Sequence, residues 1–474
     1  MKRAVTTART LLRMRGNQSG RSSERSFEWP DELLEAQRFQ IGRNMMPLLL
    51  GFPRWVHRRV ETIEFVHETR VRRSVSLDFT IPGFALPRLQ TPAGERILVP
   101  LALLKKEPLR NFDLRDESGN VLPALTREQN GKIASALLIS LAEFVVKQAH
   151  AKDQLDGAIQ SELIEIAVGA RADARRARNN LRRPRGSGSD TQRDLLWRNE
   201  ELRLLATDFA ENFVLITPLT AQTGDRRVLK FAYENTVLPM ALSPIRTPLR
   251  WAGLRAVPFG TRIASLGTAA SYHVEVGVPE DLLIVSASLF TVGQDEPLYR
   301  ERSVARAHLY AQNMPRGTAG FVQLYLSVRS QIVLQTLLAS SLTSAVLGVG
   351  LIAHNFGVHP SVDALTALVV VLPGVFAAFL ARPGEHSVVL RLVSGLRVGI
   401  LLSALISFVA AGTLAASFSG SFRLLTWSVL LAASLTITLG SVAGYARAIW
   451  REYLRMFTIL LIARNRRFWA SRGY

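Results

Sequence analysis

Between residues 332 and 446 the chain carries four apolar runs, 332–353, 364–381, 398–417 and 424–446, and no Lys, Arg, Asp or Glu falls inside any of them. Each is about 18–23 residues long, which at a helical rise of 1.5 Å per residue matches a hydrocarbon core roughly 30 Å thick. A backbone in hydrocarbon must satisfy its own polar groups, so these runs read as transmembrane helices of a four-helix bundle. The basic residues between them give the orientation. Arg329 precedes the first run, 354–363 holds no Lys or Arg, Arg382, Arg391 and Arg397 fill the second connection, Arg423 alone marks the third, and seven arginines follow residue 446. Positive residues stay inside, so both termini are expected in the cytoplasm of a multi-pass cell-membrane protein. Residues 1–18 are basic and polar, without the apolar stretch of a secretory signal, which agrees with that orientation.

Everything ahead of the first run is therefore expected to be cytoplasmic. Residues 1–26, rich in Arg, Ser and Thr, read as a disordered basic arm. From Arg59 onward apolar residues recur at period two (Val71, Val75, Leu77, Phe79, Ile81) with polar residues between them, the pattern of half-buried strands. This gives a first β-rich lobe over 27–125. Residues 126–211 change to helical spacing and read as a helical insertion, with a basic, Gly- and Pro-punctuated linker at 171–190 and a helix over 191–210 after it. Strand patterns resume in a second β-rich lobe, 212–330, which runs almost directly into the first span. The fold class is thus an α+β integral membrane protein: a sandwich-like β-rich region with a helical insertion, then the bundle at 331–447 and a basic amphipathic tail at 448–474.

The net charge of +20 would, in a soluble protein, point to nucleic acid. Here the excess is local, in 1–25, 171–185 and the tail. Anionic lipid of the inner leaflet attracts such segments at about 1 kcal/mol per basic residue, making the membrane the first partner. Nucleic acid ranks behind it, because 171–185 lacks the interleaved aromatics of a base-stacking platform. The absence of cysteine excludes disulfides, thiolate catalysis and Cys-ligated metals. No HExxH, GxxxxGK[ST], GxSxG or strand-anchored GxGxxG motif is present, so no catalytic residue, metal or cofactor is expected. Asp113, Asp116 and Glu117 surround a Ser-Gly-Asn turn and read as turn chemistry.

In the tail, Arg447, Arg451 and Arg455 recur every four residues and share one helix face, so with Arg464, Arg466 and Arg467 they are the expected anionic-lipid contacts. Gly440 with Gly444, and Ala411 with Ala415, are small-residue pairs at the spacing that lets helices pack closely. Pro373 and Gly374 invite a kink in the second span. The expected function is non-enzymatic: a membrane-anchored binding or sensing module whose β-rich domain meets a cytoplasmic protein partner. The alternative is a homo-oligomeric effector or pore gated by that domain, and a membrane-tethered hydrolase ranks third.

Overall fold

The computed structural model describes residues 31–67, 69–83, 86–91, 94–149, 154–182, 190–236, 256–263, 266–356, 371, 375–376, 386–416 and 420–470. The basic arm, Pro373, Gly374 and nearly all of the run at 364–381 lie outside them. A helix α1 (Asp31–Leu50) and a short α2 (Phe52–Trp55) lead into the hairpin β1 (Val56–His67) and β2 (Arg70–Thr80). Strict alternation of burial along β2 reproduces its period-two pattern. Next come β3 (Arg88–Thr91), β4 (Gly94–Lys105) and β5 (Arg110–Arg115). Five helices follow: α3 (Arg127–Ala149), α4 (Gly157–Val168), α5 (Arg171–Arg182), α6 (Asp190–Arg198) and α7 (Glu200–Glu211). Strands β6 (Asn212–Leu219), β7 (Arg226–Thr236), β8 (Val257–Ile263), β9 (Ser271–Gly277), β10 (Leu282–Thr291), β11 (Tyr299–Val304), β12 (Arg306–Gln312) and β13 (Gly320–Val328) complete the β-rich region.

The segments read as two lobes interleave in space. One six-stranded sheet has the order β12-β9-β1-β2-β7-β5, so it takes three strands from before the helices and three from after them. Within it β1 pairs β9 in parallel, with Arg59 opposite Tyr272, while β2 pairs β7 antiparallel, with Arg73 opposite Tyr233. A four-stranded sheet, β11-β10-β13-β8, shares a core with the β1, β9 and β12 side of the large sheet. A three-stranded sheet, β3-β4-β6, joins the helices and the rest of the large sheet in a second core.

Local chemistry fixes the helix ends. Thr126 and Gln129 form a reciprocal capping box at the start of α3, and Asp156 caps α4 by accepting from the Ala158 amide at 2.7 Å. At the far end of α4, Lys106 Nζ donates to the carbonyls of Ile166, Ala167 and Gly169 at 2.8–3.1 Å, where the helix dipole favours a cation. Two readings change. The basic linker begins as a helix, because Ala174, Ala177 and Leu181 form a buried stripe while Arg171 and Arg175 turn outward to Glu211. The small stripe of alanines carries little hydropathy, so the arginines mask it. The helix expected over 191–210 is broken at Asn199, whose side chain caps α7 by accepting from Leu202 N.

Three helices near the C-terminus are long and apolar enough to cross a membrane: α8 (Ser330–Asn355), α9 (Ser387–Ala415) and the first part of α10 (Gly420–Ala470). Leu338, Val349, Leu401, Phe408, Leu425 and Leu439 are exposed on them, an apolar surface suited to lipid. Their inner seam is hydroxylic. Thr343 approaches Ser407 at 3.4 Å and Ser344 approaches Ser434 at 2.7 Å, while Thr336 donates to the Leu396 carbonyl. Positions 336 with 396 and 343 with 407 advance together, so α8 and α9 run parallel; Gly350 lies against Trp427 while Ser344 meets Ser434, so α10 runs antiparallel to both. Trp427 is buried in this seam and donates to Thr413 Oγ1 at 2.8 Å, so it packs the bundle.

The helices are tied to the β-rich region at two points. Helix α8 starts two residues after β13 ends. The first turns of α9 sit in the core between the two larger sheets, through Val388, Val389 and Val393. His386 caps α9: its Nδ1 accepts from Val388 N at 3.3 Å and its Nε2 donates to the Phe65 carbonyl of β1 at 2.9 Å.

Candidate functional site

Residues that alternate along β1 and β2 onto the inner face of the large sheet include three charges. Arg59, Glu61 and Arg73 are only 6, 1 and 4% exposed, in the positions where the same strands elsewhere bury Ile63, Val75 and Leu77. Arg73 Nη1 donates to Glu61 Oε1 at 2.5 Å, and its other nitrogen reaches Thr261 Oγ1 and the Arg262 carbonyl on β8. Tyr272, opposite Arg59 on β9, donates its hydroxyl to Glu61 Oε2 at 2.5 Å. Arg59 lies over the Tyr272 ring, 5.4 Å from its centroid, and approaches Glu61 only at 3.9 Å. Neither Arg59 Nε nor Arg73 Nε has a hydrogen-bond partner.

This triad carries a net charge of +1, from two arginines against one glutamate, in a setting where an uncompensated ion is costly. Burial pushes the Glu61 carboxyl up, but Arg73 and Arg59, with the Tyr272 and Arg73 hydrogen bonds, outweigh it and hold the group below the usual carboxylate range. Burial raises the Tyr272 hydroxyl, so it stays a donor. The triad forms one wall of a cavity of about 200 Å³. Other walls bring Arg70, Lys105, Arg110 and Arg262 against Glu107 and Glu234, so six cations face three carboxylates and the lining carries +3 (6 − 3). Lys105 is pushed down by burial and by the fields of Arg73, Arg171 and Arg262, against Glu107. Such a cavity attracts anions. At its rim Glu234 Oε1 accepts from Asn111 Nδ2 at 2.6 Å, while Oε2 faces Arg70 at 3.6 Å without a hydrogen bond.

Other clusters are accounted for locally. Asp116 accepts from the amides of Ser118 and Asn120, as turn chemistry requires, whereas Glu117 pairs with Arg227 on β7 at 2.7 Å. His273 and His308 share a hydrogen bond at 3.1 Å on the outer face of the large sheet. Among the described residues no group of three or more His, Cys, Asp or Glu is arranged to hold a metal.

The residues named from sequence are dispersed. Arg447 is exposed near the end of the membrane-length part of α10; the helix carries the backbone on through Arg451, Arg455, Arg464, Arg466 and Arg467, whose side chains lie outside the described residues. Ala411 is buried in the bundle, whereas the Ala415 side chain lies outside the described residues. Gly444 is buried, but a Cβ on Gly440 would meet nothing within 4 Å. A close approach of α8 and α9 falls instead at Gly399, where a Cβ would lie 2.9 Å from Thr336 Cγ2. The cavity was missed because its charges are spread over β1, β2, β4, β5, β7 and β8, yet one signal was there: Arg73 stands in the buried phase of Val71, Val75, Leu77 and Phe79. Compared with protein-family models and with curated proteins, the chain matches none.

Proposed function

We propose that this chain is a membrane-anchored sensing module whose β-rich domain, on the cytoplasmic side, binds a small anion in the cavity at Arg59, Glu61 and Arg73. The observation that carries this reading is the buried triad of net charge +1 opening on a lining of net charge +3. A chain folded only for stability gains nothing from a second buried arginine; a bound anion compensates it. The larger sheets and their common core support a sandwich-like domain.

The anchor is a bundle of four spans with both termini cytoplasmic. Because α8 and α9 run parallel, the chain between Asn355 and His386 has to return across the bundle, and 364–381 is the apolar run available for it. Phe376, within that run, is fully buried among residues of α8 and α9, which supports the same crossing. Arg447 and the tail arginines then sit beside the inner leaflet, in reach of anionic lipid. Reporters fused before Met1 and after Tyr474 should both register cytoplasm, and one inserted at Gly357 the exterior; an exterior signal from either terminus would overturn the orientation.

Anion binding is tested on the full chain in detergent micelles. Phosphate or sulfate should raise the midpoint of thermal unfolding above that in chloride of equal ionic strength, and Arg59→Met should abolish the increment. An equal midpoint in all three salts would refute the site. The gated-pore reading finds support in the insertion of α9 into the domain core, and a ligand-dependent conductance in liposomes would establish it.

A further inference from the structure

The cavity has two chemically different ends. Around Arg59, Arg73, Lys105 and Arg262 it is cationic, and the Nε groups of both buried arginines lack acceptors. Immediately beyond, Arg70 and Arg110 also line it, and buried acceptors stand among them. Tyr233 stands opposite Arg73, and Glu234 and Asn235 follow it on β7, so this end begins one to two residues along, roughly 3–7 Å at strand rise. Glu234 is 5% exposed; its Oε2 and the Asn235 Oδ1 are buried without hydrogen-bond donors. A bare anion would leave both oxygens unsatisfied and set a carboxylate against itself. A ligand that accepts at one end and donates at the other would satisfy both.

We infer that the cavity takes a phosphate monoester whose organic body carries N–H or O–H donors, a soluble nucleoside monophosphate or sugar phosphate; this rests on the anion-binding reading above. A monoester carries about −1.5 to −2 at neutral pH and offers three acceptor oxygens, which suits a lining of net charge +3 better than a single carboxylate does. Guanidinium forks bind phosphate oxygens in pairs, the geometry that idle Nε groups leave open. The donors of the body meet Glu234 and Asn235, while Tyr233, Leu103 and Leu109 flank it. At roughly 30 Å³ per water the 200 Å³ cavity holds about seven waters, room for the phosphoryl group and the part of the body joined to it. Along β1, Phe65, which bonds the cap of α9, is six residues from Arg59, about 20 Å. That distance favours a soluble ligand over a lipid headgroup.

The test is calorimetric titration of the full chain in detergent micelles with inorganic phosphate, adenosine, adenosine monophosphate and glucose 6-phosphate, beside nanodiscs containing a monophosphorylated phosphoinositide. At least one soluble monoester should bind tenfold or more tighter than inorganic phosphate, and adenosine should not bind. Glu234→Gln and Asn235→Ala should each weaken that monoester about tenfold while inorganic phosphate binds unchanged or tighter; Arg59→Met should weaken both. Equal affinity for phosphate and the monoesters would overturn the donor end and leave the anion reading standing. No binding of any anion to a folded chain would overturn the anion reading itself. Binding confined to the phosphoinositide would overturn the soluble-ligand assignment.

Discussion

Two substitutions in the triad should have opposite effects on stability, although both remove a charge. Glu61→Gln keeps the shape of the side chain and an acceptor for Tyr272, but leaves Arg59 and Arg73 buried with no carboxylate between them. Removing one partner of a buried ion pair costs about 3–5 kcal/mol, because the other charge stays desolvated. Arg59→Met removes the arginine that has only a 3.9 Å approach to Glu61 and leaves the close Arg73–Glu61 pair neutral overall. Methionine fills most of the same apolar space, so the change should be neutral or stabilise by up to about 2 kcal/mol. The assay is chemical unfolding of the full chain in detergent, followed by fluorescence of Trp55, which is buried beside Phe79. Combining the two substitutions should recover 1 kcal/mol or more of the Glu61→Gln loss, on the order expected for residues in contact. Loss of more than about 2 kcal/mol in Arg59→Met, or less than about 1 kcal/mol in Glu61→Gln, would refute the argument that Arg59 is kept for binding.

Lys106→Met should destabilise the helical part by about 2–3 kcal/mol, since three carbonyls at the end of α4 lose a charged donor; circular dichroism during unfolding measures it. Burial raises the Asp208 carboxyl from 3.8 to about 6, against the field of Arg316, so the native state holds a proton that the unfolded chain has lost. The contribution of Asp208 to stability is therefore fullest below about pH 4, falls as pH rises to about 6 and levels off above it; the drop is at most about 3 kcal/mol, less because solvent reaches part of the residue. Asp208→Asn should flatten that stretch of the pH profile. Gly399→Leu should destabilise the bundle by about 1–3 kcal/mol through overlap with Thr336, whereas Gly440→Leu should leave single-chain stability unchanged, both read from unfolding in detergent.

Three of the spans could be read from sequence because a charge-free run of membrane length needs no tertiary partner to be recognised. The alternation in β2 was equally visible. The parallel pairing of β1 with β9 was not, since the two strands are more than 200 residues apart and nothing local specifies it. The site was hidden by the same alternation that revealed the strands. Charge usually lies outside, so nothing local marks Arg59 and Glu61 as buried, whereas the face they occupy is set by Ile63, two residues beyond Glu61. Arg73 offered the stronger clue, because a slip of one residue would have exposed Val71, Val75, Leu77 and Phe79 together. A charge in phase with four buried apolar residues marks a functional position more reliably than a cluster of exposed charges does.

The junction between domain and bundle supplies the last prediction. Strand β1 carries Arg59 and Glu61 at the cavity and the Phe65 carbonyl at the cap of α9, so one strand joins the site to a membrane-length helix. His386 makes both contacts as a neutral ring with its proton on Nε2: Nδ1 accepts from Val388 N while Nε2 donates to Phe65. Replacing it by alanine removes a helix cap, worth about 1 kcal/mol, and a hydrogen bond worth about the same. Val388, Val389 and Val393 still hold the helix in the domain core, so the loss should be local fraying. A local loss of about 2 kcal/mol corresponds to roughly thirtyfold faster hydrogen exchange at the amides of 388–390, with exchange inside the bundle unchanged. His386→Asn restores the cap without the reach to Phe65, and should give an intermediate acceleration of about fivefold. If both variants exchange at the native rate, the valines alone seat α9 and the strand-to-helix bond carries no coupling. If the whole bundle opens instead, His386 is a keystone of global stability, and the site would sense through the stability of the anchor itself.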